Sequence, residues 1–166
     1  MSLNLETINV SFAGHEPYRA TDGAVAYDLV ADETVYILPG EVRKIKTGTR
    51  LALPTGCEGL INVRSSIGAS GIMLANGTGI IDSDYRGELI VALYNANTAS
   101  LLVKLASGET DLAGDDLYKM PGTVKISAGD RIAQLRIRTV PRVSLTEVEE
   151  LPETKRGEGG FGSTGK

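Results

Sequence analysis

Short runs of alternating apolar and polar residues, each closed by a turn signal, dominate the chain. Alternation over roughly four to eight residues is typical of half-buried β-strands. We expect strands at residues 5–12, 34–38, 42–47, 49–53, 58–63, 87–94, 101–105, 123–126 and 131–140. Turn sequences such as Pro39-Gly40 and Ala128-Gly129-Asp130 separate them. Many short strands at this spacing indicate an all-β antiparallel sandwich, jelly roll or barrel.

Three regions depart from this pattern. Only residues 65–70 suggest a helix, and it is one short turn. Residues 97–123 are polar and partly acidic, and we expect a surface insert with no strand beyond residues 101–105. Residues 151–166 are polar and rich in glycine, which loses much backbone entropy on ordering. We therefore predict a β domain at 1–150, followed by a flexible C-terminal arm.

Length and composition exclude several classes of protein. A chain of 166 residues suits one domain. The net charge of −4 argues against a nucleic-acid binder, which would carry a basic stripe. No apolar run approaches the ~20 residues that span a membrane, and the N-terminus lacks the features of an export signal. The single cysteine, Cys57, fits a reducing cytoplasm, and we expect it to be a buried structural thiol.

The densest group of chemically active residues lies at 76–88. Asp82, Asp84, Tyr85 and Arg86 occur within five residues there. At the end of a half-buried strand, Asp82 could hold a water molecule and act as a general base. Tyr85 offers a flat face for a sugar or a base. The alternative is a polar hairpin whose charges form salt bridges.

Three further segments carry candidate binding groups. Arg64-Ser65-Ser66 follows a predicted strand and could bind an anion, or the serines could simply cap a helical turn. Gln134 is polar within an apolar strand, where its amide could equally be satisfied in the core. Asp28 interrupts an apolar run, so it needs an amide, a cation or a metal-bound water as partner.

The glycine-rich tail carries side chains that suit a nucleotide. Arg156 could grip phosphate through its planar fork of donors, and Phe161 could stack on a base. Ser163, Thr164 and the neighbouring glycine amides could wrap an anion. The alternative is a frayed, linker-like terminus.

In their order along the chain, five segments resemble the five motifs of the homotrimeric dUTPases. They lie at residues 26–31, 64–68, 76–88, 129–135 and 156–165, and together they span nearly the whole chain. The third and fifth are the most specific, whereas Ser66 stands where many members have Gly. The resemblance implies a β jelly roll in which three subunits build three shared active sites. It also implies hydrolysis of dUTP to dUMP and pyrophosphate.

The resemblance also implies a role for each site residue. Asp82 would orient the attacking water at the α-phosphorus. Tyr85 would lie against the deoxyribose and exclude a 2′-hydroxyl. Asp28 would reach Mg²⁺ through water. The backbone around Asn76, Gly79 and Ile81 would pair with the uracil edge. Arg64, Ser65 and Ser66, with Gln134 nearby, would hold the α- and β-phosphates. A closing arm would be formed by Arg156, Phe161, Gly162, Ser163 and Thr164, with Phe161 on the uracil.

The insert at 97–123 departs from the compact members of that family. It makes the connection between the third and fourth motifs about two dozen residues longer than usual. Some phage dUTPases are similar in carrying an insert here. It could dock a protein partner or be a tolerated loop without function. Two other readings stay open for the whole chain: a dCTP deaminase, which has the same fold and a similar Arg-Ser-Ser segment, and a dUTP-binding regulatory protein acting through the insert.

Overall fold

The computed structural model describes residues 7–108 and 117–160 of the chain. Most of the regular structure is β-strand. The strands are β1 Ser11–Gly14, β2 Tyr27–Val30, β3 Val35–Ile37, β4 Val42–Ala52, β5 Cys57–Val63, β6 Ile72–Leu74, β7 Gly79–Ile81, β8 Glu88–Asn95, β9 Val124–Ile126 and β10 Arg131–Thr139. The helices are α1 Ser65–Ala69 and α2 Thr98–Ser107, with one 3₁₀ turn at Leu117–Lys119.

Two four-stranded antiparallel sheets enclose the core. One has the strand order β1-β4-β8-β6 and the other β2-β10-β5-β7, while β3 and β9 form a separate ribbon. The core cluster is apolar and fully buried at its centre. Its largest members are Leu29, Ile37, Ile45, Ile72, Leu89, Leu93, Ile132 and Leu135. The architecture confirms the predicted all-β jelly roll, and Cys57 is buried as expected.

The strand pattern of the sequence translates directly into burial on β8. Leu89, Val91 and Leu93 are fully buried, whereas Ile90 between them is exposed. The two strands predicted at 42–47 and 49–53 are instead the single strand β4. Its register with β8 shifts between Lys46 and Arg50, so the ladder is irregular at this point but the strand continues.

Three other element predictions need correction. The strand expected at 101–105 is wrong, because those residues lie in α2. A short apolar run such as Leu101-Leu102-Val103 fits a helix as well as a strand. The strand expected at 5–12 begins only at Ser11 within the described residues. Strands β2, β6 and β7 have three or four residues each and were not predicted. No helix in 7–108 or 117–160 is long and apolar enough to cross a membrane.

Two glycines bring β5 and β7 close together. Gly59 pairs with Ile81, and Ile61 pairs with Gly79. A Cβ atom at Gly59 would lie 3.1 Å from the Ile81 Cβ, and one at Gly79 would lie 3.1 Å from the Ile61 Cβ. Each isoleucine therefore covers the glycine opposite it. This pairing fixes β7 at the edge of its sheet, with its outer backbone groups facing away from β5.

The buried amide of Asn95 joins three parts of the chain. Its Nδ2 donates to the Ile37 carbonyl oxygen at 2.8 Å and to the Gly122 carbonyl oxygen at 2.8 Å. Its Oδ1 accepts from the backbone N–H of Asn97 at 3.0 Å. Because Asn97 and Gly122 lie at the two ends of the predicted insert, Asn95 closes the base of that insert.

We predict that Asn95→Leu lowers the free energy of unfolding by at least about 2 kcal/mol, because two carbonyl oxygens at a buried site lose their donor. Thermal or urea unfolding at one fixed protein concentration measures this. The control is Asn62→Ala, which removes an amide from an exposed contact with Arg136 and should cost less than about 1 kcal/mol. Equal stabilities for Asn95→Leu and wild type would contradict this role.

Candidate active site

Asp28 is the centre of a charged cluster at one end of the second sheet. It lies on β2 and pairs across the strands with Gln134 on β10. The Arg64 Nε lies 3.0 Å from Asp28 Oδ1, and the Arg131 Nη1 lies 3.1 Å from Asp28 Oδ2. The Gln134 amide also donates to Oδ1, at 3.3 Å. Two cations and one amide thus surround a carboxylate that is only 4% exposed.

This cluster provides the partners that the sequence predicts for Asp28. A buried carboxylate is costly without partners, and both an amide and a cation were candidates. The structure supplies both. The ion pair in turn holds the Arg64 side chain in one place. A guanidinium has five N–H donors, so an arginine that pairs through Nε keeps others for a second anion.

Arg131 was missed by the sequence reasoning. It follows the turn Ala128-Gly129-Asp130, where the sequence pattern points only to the turn itself and to Gln134. Charge balance could have identified it. A carboxylate in an apolar run, such as Asp28, needs a partner such as a cation, and Arg131 is a cation that follows a tight turn. A register shift between Arg131 and Ala133 brings its guanidinium to Asp28.

Ser65 and Ser66 open helix α1 directly after Arg64. Arg64 itself occupies the N-cap position, and it makes no side-chain capping hydrogen bond. The serines are exposed inside the first turn, so the predicted capping role does not describe them. The arrangement places two hydroxyl groups beside a fixed guanidinium, which suits an anion.

The hairpin after β7 carries the second group of candidate residues. Asp82 directly follows the strand and is exposed, as the general-base interpretation requires. The Tyr85 N–H donates to the Asp82 carbonyl oxygen at 3.1 Å, which closes the turn. The Arg86 Nη1 donates to the carbonyl oxygens of Ser83, at 2.7 Å, and Tyr85, at 2.9 Å. Arg86 therefore stabilises the hairpin backbone.

Gly87 allows the Tyr85 ring to lie flat on the hairpin. A Cβ atom at Gly87 would come within 2.3 Å of the Tyr85 hydroxyl oxygen. That hydroxyl donates to the Glu88 carbonyl oxygen at 2.9 Å. The Glu88 carboxylate accepts from the Gly48 N–H at 2.8 Å, which ties the hairpin to β4. Tyr85 is thus held in place and remains 43% exposed.

Asn76 belongs to the turn that leads into β7. The Thr78 N–H donates to the Asn76 carbonyl oxygen at 2.7 Å, and Gly77 has a φ of +69°. Gly79 and Ile81 are the two ends of β7, which is an edge strand. All three residues therefore lie along one open backbone edge.

The hairpin and the Asp28 cluster lie at opposite ends of β5. Ile81, the residue before Asp82, pairs with Gly59, and Arg64 follows the strand five residues later. At about 3.3 Å per residue, this separates the two ends by roughly 17 Å. Arg64 also reaches across β10 to Asp28 on β2, away from the edge where β7 lies.

Only the first part of the tail lies within the described residues. The Arg156 Nε donates to the Gly159 carbonyl oxygen at 2.8 Å, and the Gly157 N–H donates to Thr154 Oγ1 at 3.1 Å. These contacts form a local turn. Phe161, Gly162, Ser163 and Thr164 lie outside the described residues, so their assignments stay predictions.

The side chains of this site suit a metal ion that is coordinated mainly by a bound phosphate compound and by water. In residues 7–108 and 117–160, no three His, Cys, Asp or Glu side chains converge on one point. Mg²⁺ needs few direct protein ligands when phosphate oxygens and water complete its shell. A carboxylate oxygen accepts more than one hydrogen bond, so Asp28 can receive a metal-bound water beside its arginine.

Comparison with known proteins identifies the family. A family model described as dUTPase matches residues 13–107 and 118–165. The chain belongs to the dUTPase family. This confirms the resemblance seen in the five segments. The gap in the dUTPase match, residues 108–117, falls inside the predicted insert.

Individual relatives agree with this assignment. The deoxyuridine 5'-triphosphate nucleotidohydrolase of Anaeromyxobacter sp. (strain Fw109-5) is 41% identical over 151 residues, which cover 90% of this chain and 87% of that protein. The Staphylococcus bacteriophage 80alpha dUTPase with dUPNHPP has a TM-score of 0.75 and 27% identity, covering 96% of this chain and 100% of that one. A mutant dUTPase from phage phi11 of S. aureus has a TM-score of 0.71 and 29% identity, covering 86% and 97%. That structure reveals the coordination of a structural Mg(II) ion.

We predict that Asp28 and Arg131 are coupled in the stability of this dUTPase. A double-mutant cycle with Asp28→Asn and Arg131→Gln should give a coupling energy of about 1 kcal/mol, kept small because Arg131 is partly exposed. Unfolding by urea at constant protein concentration measures each corner of the cycle. In the matched control, Arg138→Gln replaces Arg131→Gln, since Arg138 pairs with Glu58 and not with Asp28. Additive effects in both cycles would show that the pair does not interact.

Proposed function

We propose that this protein hydrolyses dUTP to dUMP and pyrophosphate with Mg²⁺, in active sites shared between copies of the chain. The hairpin at 79–88 carries the proposal. There, an open strand edge for the base, an exposed carboxylate for the attacking water and a fixed aromatic ring for the sugar lie within ten residues of one another. The dUTPase family membership and the Asp28 cluster support the same reaction.

The nucleoside is recognised by β7 and Tyr85. Edge backbone groups around Asn76, Gly79 and Ile81 pair with the uracil edge, as a complementary base would. The Tyr85 ring lies against the deoxyribose. Because its hydroxyl is held by Glu88 and its ring rests on Gly87, the ring cannot easily retreat from a 2′-hydroxyl. A steric clash discriminates more strongly than the loss of one favourable contact.

Asp82 orients the water for the chemical step. Its carboxylate accepts a proton as the water oxygen attacks the α-phosphorus in line with the bond to the bridging oxygen. That bond breaks, pyrophosphate leaves with the electron pair, and the water oxygen stays on dUMP. Arg64, Ser65, Ser66 and Gln134 position the α- and β-phosphates. Phosphoryl transfer depends mainly on such positioning and on neutralising charge.

Mg²⁺ neutralises charge on the phosphate oxygens when it is bound. Asp28 would hold it through water. Asp28 also keeps Arg64 in place beside the phosphates, so one buried carboxylate serves both the metal and the guanidinium.

A single chain cannot complete this site. The attacking water must lie about 3–3.5 Å from the α-phosphorus, and Arg64 must contact the same phosphate group. Asp82 and Arg64 of one chain are separated by the length of β5, so they cannot contact the same nucleotide. Each site therefore needs one of these two groups from another copy of the chain. We infer that Arg64 of one subunit faces Asp82 of a neighbour, and the resemblance to the homotrimeric dUTPases implies that the assembly is a homotrimer.

The segment that follows β10 and leads into the C-terminal arm supports the same assembly. Residues 140–160 contain no helix or strand, and Val143, Leu145 and Leu151 are 71%, 93% and 83% exposed. Such exposed apolar residues gain by packing against another subunit. The end of the arm, with Arg156, Phe161, Gly162, Ser163 and Thr164, would then close over the nucleotide and exclude other water.

A regulatory activity through the insert is the second candidate function. On α2, Leu102 and Val103 are 63% and 69% exposed, so the helix offers apolar side chains to a protein partner. Such a role is compatible with hydrolysis. The dCTP deaminase alternative is less favoured, because the Tyr85 hairpin and the Phe161 arm belong to the dUTPase pattern. We place the enzyme in the cytoplasm of a bacterial or phage-infected cell, and we propose no nucleic-acid or membrane partner.

Asp82→Asn should lower the turnover of dUTP by a factor of about 10² or more, because a positioned base is lost. Binding of a non-hydrolysable dUTP analogue should change little. Pyrophosphate release from dUTP with Mg²⁺ measures turnover, and the wild type should form no dUTP from dCTP. Asp84→Asn is the matched control, since this neighbouring carboxylate has no proposed role, and it should stay within about threefold of wild type.

Full turnover by Asp82→Asn would remove the assigned base. Absence of pyrophosphate from the wild type would reject dUTP hydrolysis itself. Formation of dUTP from dCTP would revive the deaminase reading.

Mixed assemblies test whether the site is shared. Arg64→Ala and Asp82→Asn chains should each be nearly inactive alone. When they are co-expressed, every trimer that contains both kinds of chain should combine an intact Arg64 with an intact Asp82 from a neighbour in one of its sites, so isolated mixed trimers should show about a third of wild-type activity. Two different affinity tags isolate the mixed assemblies, and pyrophosphate release measures their activity. Assemblies that carry Asp82→Asn under both tags are the control, and an equal lack of activity in the mixed assemblies would contradict sharing.

A further inference from the structure

The proposed phosphate-binding segment belongs to a helix that is too short to be stable by itself. Helix α1 has five residues, none of them fully buried, although Ile67 is partly buried against the core. Isolated helices shorter than about 12 residues are marginal in water, so α1 depends on this contact and on contacts at its ends. Its N-terminal end is fixed through Arg64, which pairs with the buried Asp28.

The C-terminal end of α1 is fixed by Asn97. The Asn97 Nδ2 donates to the Ser70 carbonyl oxygen at 2.8 Å, and Ser70 is the C-cap residue of α1. Gly71, which follows Ser70, is bound to the residue after β8, because the Ala96 N–H donates to the Gly71 carbonyl oxygen at 2.9 Å. Gly71 has a φ of +80°, and a Cβ atom there would lie 2.4 Å from Asn97 Oδ1. Glycine at this position lets the Asn97 amide lie across the chain.

The orientation of the Asn97 amide is itself fixed. The Asn97 Nδ2 and backbone N–H both donate to Asn95 Oδ1, at 2.9 Å and 3.0 Å. Asn95 is fully buried and binds the Ile37 and Gly122 carbonyl oxygens. A continuous set of hydrogen bonds therefore runs from the core, through the base of the insert, to the end of α1.

We propose that Asn97 is a positioning residue for substrate binding: it fixes the C-terminal end of α1 and thereby places Ser65 and Ser66 against the phosphates of dUTP. The inference rests on the proposed phosphate-binding role of Arg64, Ser65 and Ser66. Because these groups hold the phosphates before and during the reaction, loss of Asn97 should weaken substrate binding and change the chemical step little.

Asn97→Asp and Asn97→Ser test the proposal. Neither side chain can make the amide donation to Ser70, yet both residues are good N-caps, so a capping role at the start of α2 would survive. For both variants we expect the KM for dUTP to rise about three- to tenfold, with kcat within about twofold of wild type. The control is Leu102→Ala, which changes an exposed side chain of the insert and should leave KM within about twofold.

Binding measurements separate positioning from general damage to the fold. Calorimetry should show that the affinity for a non-hydrolysable dUTP analogue falls several-fold more than the affinity for dUMP. A variant that is merely destabilised would lose a fraction of competent protein. Its apparent affinities for the analogue and for dUMP would then fall by the same factor, and their ratio would not change. If either variant is too unstable to purify, the other gives the same two readouts.

The outcomes distinguish this inference from the proposed function. An active wild type, with unchanged KM and analogue affinity in both Asn97 variants, would overturn the positioning role and leave dUTP hydrolysis intact. A KM increase that also appears in Leu102→Ala would assign the effect to the insert in general and overturn it too. A wild type that does not hydrolyse dUTP would instead reject the function on which the inference rests.

Discussion

The antiparallel pairing of β5 with β7 is the constraint on which the proposed chemistry depends. Gly59 and Gly79 let the two strands approach closely, and each is covered by an isoleucine from the opposite strand. The pairing sends the Asp82 hairpin to one end of β5 and Arg64 to the other. Because both ends are fixed by a backbone ladder, no side-chain rotation can bring the two groups to one phosphate. This strand geometry supports the proposed sharing of the active site between subunits.

A second constraint is the balance of charge around Asp28. One buried carboxylate holds two arginines and one amide, and these partners together offset the cost of its burial. Arg64 is therefore in place before any substrate arrives, which lowers the cost of ordering it on binding. The hydrogen bonds of Asn95 and Asn97 fix the other end of the same segment. The proposed phosphate-binding segment is thus held by polar contacts at both ends, in addition to the partly buried Ile67 of α1.

The sequence predicted the fold class well because alternation is strong where one face of a strand is buried, as on β8. It predicted the partner types of Asp28 because a buried carboxylate leaves few alternatives. It failed where local pattern is too short to decide. The three residues of β7 include a glycine that is needed only because Ile61 lies opposite, and that pairing is long-range. The run Leu101-Leu102-Val103 satisfies a strand or a helix, and only the structure resolves it as α2.

A crystal structure with a non-hydrolysable dUTP analogue and Mg²⁺ tests the central claim most directly. The decisive measurement is which chain supplies each group that contacts one α-phosphate. We predict that Arg64 comes from one subunit and that the carboxylate nearest the α-phosphorus is the Asp82 of another. An analogue whose α-phosphate contacts Arg64 and Asp82 of the same subunit would contradict the account.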